Sequence, residues 1–119
     1  MAAVKALIVW WRSLPLPWRR WRIVDHVRAG DEVPDCLPHR AVVLVGPPAS
    51  PAWAVFDCPC GTGHRLMVNL DRTRQPFWRI EDRHRLSIFP SIDNITPERR
   101  CHFIVRGGTI TWAVATDED

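Results

Sequence analysis

Three cysteines and two histidines fall in two short segments of this chain, and they constrain its fold more than any other feature. The first segment reads Cys-Pro-Cys-Gly-Thr-Gly-His at positions 58–64, and the second is Cys101-His102. Thiolates and imidazoles are the donors that structural zinc prefers, in tetrahedral sets of four. The sequence therefore predicts that one metal ion joins two distant parts of a small domain.

The chain offers five candidate ligands for four places. A Cys-x-Cys pair in extended backbone points both thiols to one side, and Gly61 and Gly63 let the chain fold back around them. Neighbours in a regular strand face opposite sides, so Cys101 and His102 can both ligate only where the backbone is turned or bulged. We expect a turn at residues 97–100. The preferred zinc ligands are Cys58, Cys60, Cys101 and His102, and the alternative set replaces His102 with His64.

Other uses of the cysteines fit the sequence less well. Without a metal, the thiols would pack as small apolar groups. Adjacent Cys-x-Cys thiols would form a strained disulfide, and the redox motif Cys-x-x-Cys is absent. The N-terminal apolar run is interrupted by Lys5, lacks a signal-peptide cleavage site, and falls short of the roughly 20 residues of a membrane span. We therefore expect a cytoplasmic protein with reduced thiols, where clustered cysteines indicate a metal.

Short strands separated by turns dominate the rest of the pattern. The 119 residues suit one domain, and 11 prolines and 6 glycines favour short elements. The predicted fold class is mainly β: a small single domain of antiparallel strands and hairpins held by a zinc site, with a short N-terminal helix or tail. We place that tail at residues 1–17 and the zinc-binding β domain at 18–119. The predicted strands cover residues 21–27, 40–45, 52–57, 65–70, 77–80, 85–88, 102–106 and 109–114.

Turn residues fix further details of this prediction. The glycine-rich segment 58–64 lies between two strands and predicts a hairpin tip, and Gly107-Gly108 predicts a second hairpin. Pro90 cannot donate a backbone hydrogen bond, so we expect residues 89–94 to be extended but outside a central ladder. Residues 95–100 are predicted to form one helical turn.

The charge distribution points to a protein partner. The net charge is +3, and arginines alternate with tryptophans near position 20. Trp and Arg are enriched in binding hot spots, whereas no nucleic-acid-reading module accompanies this basic stretch. No membrane contact is expected. The candidate partner-binding residues are Trp18, Arg19, Arg20, Trp21 and Arg22.

A hydrolase is the alternative class of function. Zinc with an open fourth position activates water, with His64 or Asp57 as a base, and Ser91 and Asp93 offer a hydroxyl and a carboxylate. However, neither a nucleophile elbow nor a zincin helix is present, and thiolate-rich zinc sites are usually closed. No catalytic residue is assigned from the sequence.

The motifs together resemble a family of small bacterial metal-binding proteins encoded beside ubiquitin-like conjugation genes. The shared pattern is Cys-Pro-Cys-Gly-x-Gly and a strand ending Asn-Leu, a Trp strand, a Pro-Ser-Ile segment, and a Cys-His-Phe hairpin, here at positions 56–70, 78, 86–92 and 101–108. The resemblance implies metal ligation by Cys58, Cys60, Cys101 and His102. It also implies a zinc-binding accessory or adaptor role in a bacterial ubiquitin-like, antiviral-type pathway, with an activating or conjugating enzyme as partner. The alternative is a zinc-dependent hydrolase or transferase acting on a protein conjugate.

Overall fold

The computed structural model describes residues 20–113, and this part of the chain is mainly β, as the sequence predicts. A 3-10 turn at Gly30–Glu32 is the helical element within it. None of the helical segments in 20–113 has the length and hydropathy of a membrane span. The strands are β1 (Arg22–Val27), β2 (Ala41–Val45), β3 (Trp53–Asp57), β4 (Arg65–Asn69), β5 (Arg79–Glu81), β6 (Ser87–Ile95), β7 (Arg100–Arg106) and β8 (Thr109–Trp112).

The strands form two four-stranded sheets, each in sequence order, β1-β2-β3-β4 and β5-β6-β7-β8. All neighbours are antiparallel except β1 and β2, which are parallel. The sequence predicted antiparallel strands throughout. The exception arises because the link between β1 and β2 is long and carries the 3-10 turn, so the chain can return to the same end of the sheet before it re-enters.

The inner faces of the two sheets share one hydrophobic core. Strand β2 is buried at all five positions, whereas in β7 buried residues alternate with half-buried or exposed ones, as expected for a strand with one solvent-facing side. A row of edge-to-face aromatic contacts crosses the core, with ring centroids 5.5–6.5 Å apart. It joins Trp21, Phe56, Phe103 and Trp112 in that order, and so connects both sheets.

Two local predictions were wrong. Residues 89–94 were expected outside a central ladder, but they belong to β6, which lies between β5 and β7. The register of β6 against β7 shifts between Ile88 and Ile92, and this bulge accommodates Pro90 where no ladder hydrogen bond is needed. The second error concerns residues 95–100, which were predicted to form one helical turn. A β-turn links β6 to β7 there instead, and it is closed by reciprocal backbone hydrogen bonds between Thr96 and Arg99.

The division of the chain at residues 17 and 18 stays a prediction. The expected N-terminal helix or tail lies outside the described residues, and so do Trp18 and Arg19.

Candidate metal cluster and serine–histidine pair

The tip of the β3–β4 hairpin folds back on itself, as the glycine pattern predicts. The Cys58 amide donates to the His64 carbonyl at 2.7 Å, and the Gly61 amide donates to the Cys58 carbonyl at 3.2 Å. Gly61 and Gly63 have φ of 78° and 91°, a region that side chains rarely occupy. The turn therefore returns His64 to the same side as the two cysteines.

This hairpin tip meets β7 at a cluster of four potential metal ligands. One donor atom from each residue lies within 4.8 Å of the others. Two of the thiols are buried, with 4% and 1% exposure for Cys58 and Cys101, and the other two ligands are half-buried. Three thiols and an imidazole are a donor set typical of structural zinc, so the residues fit a metal ion. The cluster consists of Cys58, Cys60, His64 and Cys101.

The thiols of this cluster differ in their affinity for protons. Burial raises the pKa of the Cys58 thiol to about 12, and burial also raises the pKa of Cys101. Burial acts in the same direction on Cys60, but hydrogen bonds from Thr62 outweigh it and lower the pKa of that thiol to about 6. The Thr62 hydroxyl lies 2.9 Å from the Cys60 sulfur, so one thiolate is already favoured in the cluster.

His102, the fourth ligand preferred from the sequence, lies outside this group. The chain is in regular extended conformation from Arg100 onward, so Cys101 points into the core and His102 points to the opposite face of the sheet. There the His102 Nε2 atom lies 2.9 Å from the Ser91 hydroxyl oxygen. The alternative ligand of the sequence analysis, His64, takes part in the cluster.

Ser91 is placed opposite His102 by the bulge in β6. It lies in the stretch between Ile88 and Ile92 where the register shifts, and bulges of this kind re-aim side chains. The indole Nε1 of Trp78 donates a hydrogen bond to the Ser91 carbonyl at 3.1 Å, which holds the Ser91 backbone in place. Both Ser91 and His102 are half-buried, which leaves the pair reachable from solvent.

A carboxylate lies beside this pair. Asp93 is the cross-strand partner of His102 in the β6–β7 ladder. Arg100 binds both oxygens of the Asp93 carboxylate, at 3.0 and 2.7 Å. This hydrogen bonding lowers the pKa of Asp93, and the charges of Arg100 and His102 lower it further. The carboxylate is therefore ionised at neutral pH, next to the imidazole.

The sequence pattern indicated separate roles for Ser91 and His102 and did not pair them. The signal that could have paired them is the spacing of the β6–β7 hairpin, which brings residues on either side of its turn into register. The bulge in β6 shifts the strand register by an amount that the residue pattern does not reveal, so the sequence could not show that Ser91 faces His102. Asp57, considered as a base, instead bonds Arg65 at 3.2 Å.

The described members of the proposed partner-binding face have mixed surroundings. Trp21 is 6% exposed and packs on Phe56 in the core. Arg22 donates to the carbonyls of His39 and Arg40, at 2.6 and 3.1 Å. Arg20 is exposed, with a longer 3.5 Å contact to the Gly107 carbonyl. A role in partner binding stays a prediction for this face.

A known protein family matches this chain. Its sequence profile matches residues 29–113 and is described as bacterial ubiquitination-like system serine protease (BubE). No curated protein and no solved structure matches the chain. The matched region contains all four residues of the metal cluster and also contains Ser91 and His102.

Proposed function

This chain belongs to the BubE family of the bacterial ubiquitination-like system, and from that premise we propose that it is a serine hydrolase acting on a protein of that system. The membership confirms the resemblance drawn from the sequence motifs. The observation that supports hydrolysis is the 2.9 Å contact between the Ser91 hydroxyl and His102 Nε2. A nucleophile within hydrogen-bond reach of a base is the arrangement that serine hydrolases require.

The chemistry follows from the two side chains. His102 Nε2 accepts the Ser91 proton while the Ser91 oxygen attacks the carbonyl carbon of an ester or amide. The imidazolium then gives that proton to the leaving group, and an acyl–Ser91 ester remains. Water, deprotonated by the neutral His102, attacks this ester, releases the acid and restores the serine hydroxyl.

Asp93 stabilises the charged intermediate in this scheme. Its carboxylate is held by Arg100 and faces His102 across the ladder. A fixed negative charge beside an imidazole lowers the free energy of the imidazolium that forms when Ser91 loses its proton. Both Asp93 oxygens bond Arg100, so Asp93 acts through His102 and not on the substrate. We therefore assign it as a positioning residue.

We assign the metal a structural role, with zinc as the ion and Cys58, Cys60, His64 and Cys101 as ligands. Four protein ligands leave no open position for substrate or water, so such a site supplies folding free energy. Cys101 adjoins His102 on β7, and the two side chains face opposite sides of the sheet. An ion bound to Cys101 therefore anchors the strand that carries the proposed base.

The hydrolase proposal is tested by covalent labelling. A fluorophosphonate reacts with an activated serine by forming an oxygen–phosphorus bond as fluoride leaves and the base takes the proton. We expect one adduct per chain, located by peptide mass spectrometry at Ser91. Modification at another residue, or none at all under conditions that label a known serine hydrolase, would remove Ser91 from this role.

Substitutions of His64 and His102 test the metal cluster and the serine–histidine pair independently. We expect His64→Ala to lose the bound metal, since one of four ligands is removed, whereas His64→Cys retains it, because a four-cysteine set also holds zinc. His102→Ala should retain the metal and lose fluorophosphonate labelling. Elemental analysis of the purified variants and gel fluorescence provide the two readouts. Metal loss in His102→Ala with retention in His64→Ala would instead support the ligand set first preferred from the sequence.

The zinc-stapled adaptor is the second candidate function. A closed set of four ligands favours it, because such an ion performs no chemistry itself. Its partner would be an activating or conjugating enzyme of the pathway, bound in the cytoplasm. An adaptor does not need the Ser91 hydroxyl. A cellular assay of the pathway that is unaffected by Ser91→Ala would therefore favour the adaptor over the hydrolase.

A further inference from the structure

A cleft of about 920 Å³ opens beside the metal cluster and is separate from the serine–histidine pair. The hairpin tip forms one wall and β8 forms another. Residues 37–41, which lead into β2, close a third side, together with Trp21. The apolar lining includes Leu37, Ile110 and Trp112, and Trp112 is 46% exposed although it is large and hydrophobic. An exposed aromatic at the wall of a cleft is typical of a binding surface.

The lining of this cleft is positively charged. Arg20 and Arg40 supply this charge, whereas the acidic lining residue, Asp57, is paired with Arg65. Partial burial lowers the pKa of His39, and the charges of nearby arginines lower it further. The two arginines in the lining disfavour a bound cation and favour an anion.

Arg40 has an unusual backbone conformation in this wall. Its φ is 55°, in the left-handed region that residues with a Cβ rarely occupy. Backbone conformations of this kind are strained and concentrate at functional sites. The strain places a guanidinium-bearing residue on the cleft wall at a position where glycine would be the easier choice.

The β8 wall presents unused backbone groups to the cleft side. Strand β8 lies at the end of its sheet and pairs with β7. The Ala113 amide donates to the His102 carbonyl, and hydrogen-bonded pairs alternate along an antiparallel ladder. The backbone groups of Ile110 and Trp112 therefore face away from β7. Within residues 20–113, no strand pairs with this edge of β8.

We propose that this cleft binds an extended, carboxylate-bearing segment of a protein substrate, which adds to β8 as a further strand. Backbone pairing with Ile110 and Trp112 would supply affinity without sequence preference, and Arg20 and Arg40 would select acidic side chains. This proposal rests on the proposed function, because only a hydrolase would have this ligand as its substrate. The cleft lining includes neither Ser91 nor His102, so a segment bound there would hold the substrate away from the serine–histidine pair.

Charge distinguishes this occupant from the chain's own N-terminal segment. Residues 1–19 contain Lys5, Arg12 and Arg19 and no Asp or Glu. A basic segment is repelled by a cationic cleft, whereas an acidic one is attracted. Charge therefore disfavours the N-terminal segment as the occupant and is compatible with an acidic segment of a protein substrate.

The test is a binding titration with the full-length Ser91→Ala protein, so that no hydrolysis is required. The probe is a fluorescent peptide of about eight residues, long enough for one strand, that alternates Thr and Glu. The matched peptide replaces each Glu with Gln. We expect the Glu peptide to bind at least about tenfold more tightly at low salt and to lose affinity as salt rises. Equal affinity for the two peptides, or no binding of either, would overturn the proposal.

Variants locate the binding surface. Arg40→Gly removes the guanidinium and suits the positive φ, so it should fold normally and bind about tenfold more weakly. Arg72→Gln removes one charge from an exposed loop outside the cleft and should leave affinity unchanged. Hydrogen exchange should show slower exchange at the Ile110 and Trp112 amides on peptide binding. An equal loss of affinity in both variants, or unchanged exchange at both amides, would contradict the assignment. Fluorophosphonate labelling of Ser91 proceeds without the peptide, so failure of the hydrolase proposal is seen separately.

Discussion

Ser91→Ala lowers the rate of hydrolysis of an activated ester, such as p-nitrophenyl acetate, by at least about 10³-fold and abolishes fluorophosphonate labelling. The reason is that the alanine has no oxygen to attack the carbonyl, while His102 and Asp93 remain in place. Removal of a serine nucleophile typically lowers the rate by several orders of magnitude. The rate of p-nitrophenol release, followed by absorbance with purified wild-type and variant protein, provides the comparison.

Ser87→Ala is the matched control for this experiment. Ser87 lies on the same strand, and its hydroxyl oxygen accepts a hydrogen bond from the Gly107 amide at 2.9 Å. Loss of this bond should cost about 1 kcal/mol of stability, because a half-buried donor loses its partner. The rate of ester hydrolysis should stay within about twofold of wild type. If both variants lose activity equally, the effect is one of folding, and if neither does, Ser91 is not the nucleophile.

Cys101→Ser removes the bound metal and lowers the free energy of unfolding by at least about 3 kcal/mol. Cys101 is the cluster ligand contributed by β7, and the other three come from the β3–β4 hairpin. Without its sulfur, the ion no longer joins the two sheets, and the binding free energy that stabilises the folded state is lost. Elemental analysis and urea unfolding followed by tryptophan fluorescence measure the two effects.

Two controls show whether the metal causes this loss. Cys36→Ser changes the exposed cysteine outside the cluster and should leave both metal content and stability unchanged. A chelator should lower the Tm of the wild type toward that of Cys101→Ser, but should have little effect on the variant. A wild type purified without metal under reducing conditions, and equally stable with a chelator, would show that the four side chains form a metal-free cluster.

Much of the fold was accessible from local sequence patterns. Alternating apolar residues predicted the strands, and the glycine-rich turn at 58–64 predicted the hairpin tip that brings Cys58 and Cys60 together. The two-glycine turn before β8 was likewise predicted and confirmed. These features depend on the conformational preferences of a few adjacent residues, so the sequence alone reveals them.

The errors concern contacts between strands. Pro90 is a local signal against a central strand, yet a register shift in β6 accommodates it. The parallel pairing of β1 with β2 depends on how the long connection between them folds. Neither outcome can be read from residue spacing, because register and direction are set by the packing of whole sheets.

The sequence by itself determined a mainly β chain of the BubE family, with three cysteines and one of two histidines, His102 or His64, as candidate donors for an ion. Tertiary structure decided which histidine lies with the thiols. Because β7 is regular at Cys101, its neighbour His102 must face the other side of the sheet, where the bulged β6 presents Ser91. Side chains that are distant in sequence become chemical partners only when the register of two strands is fixed.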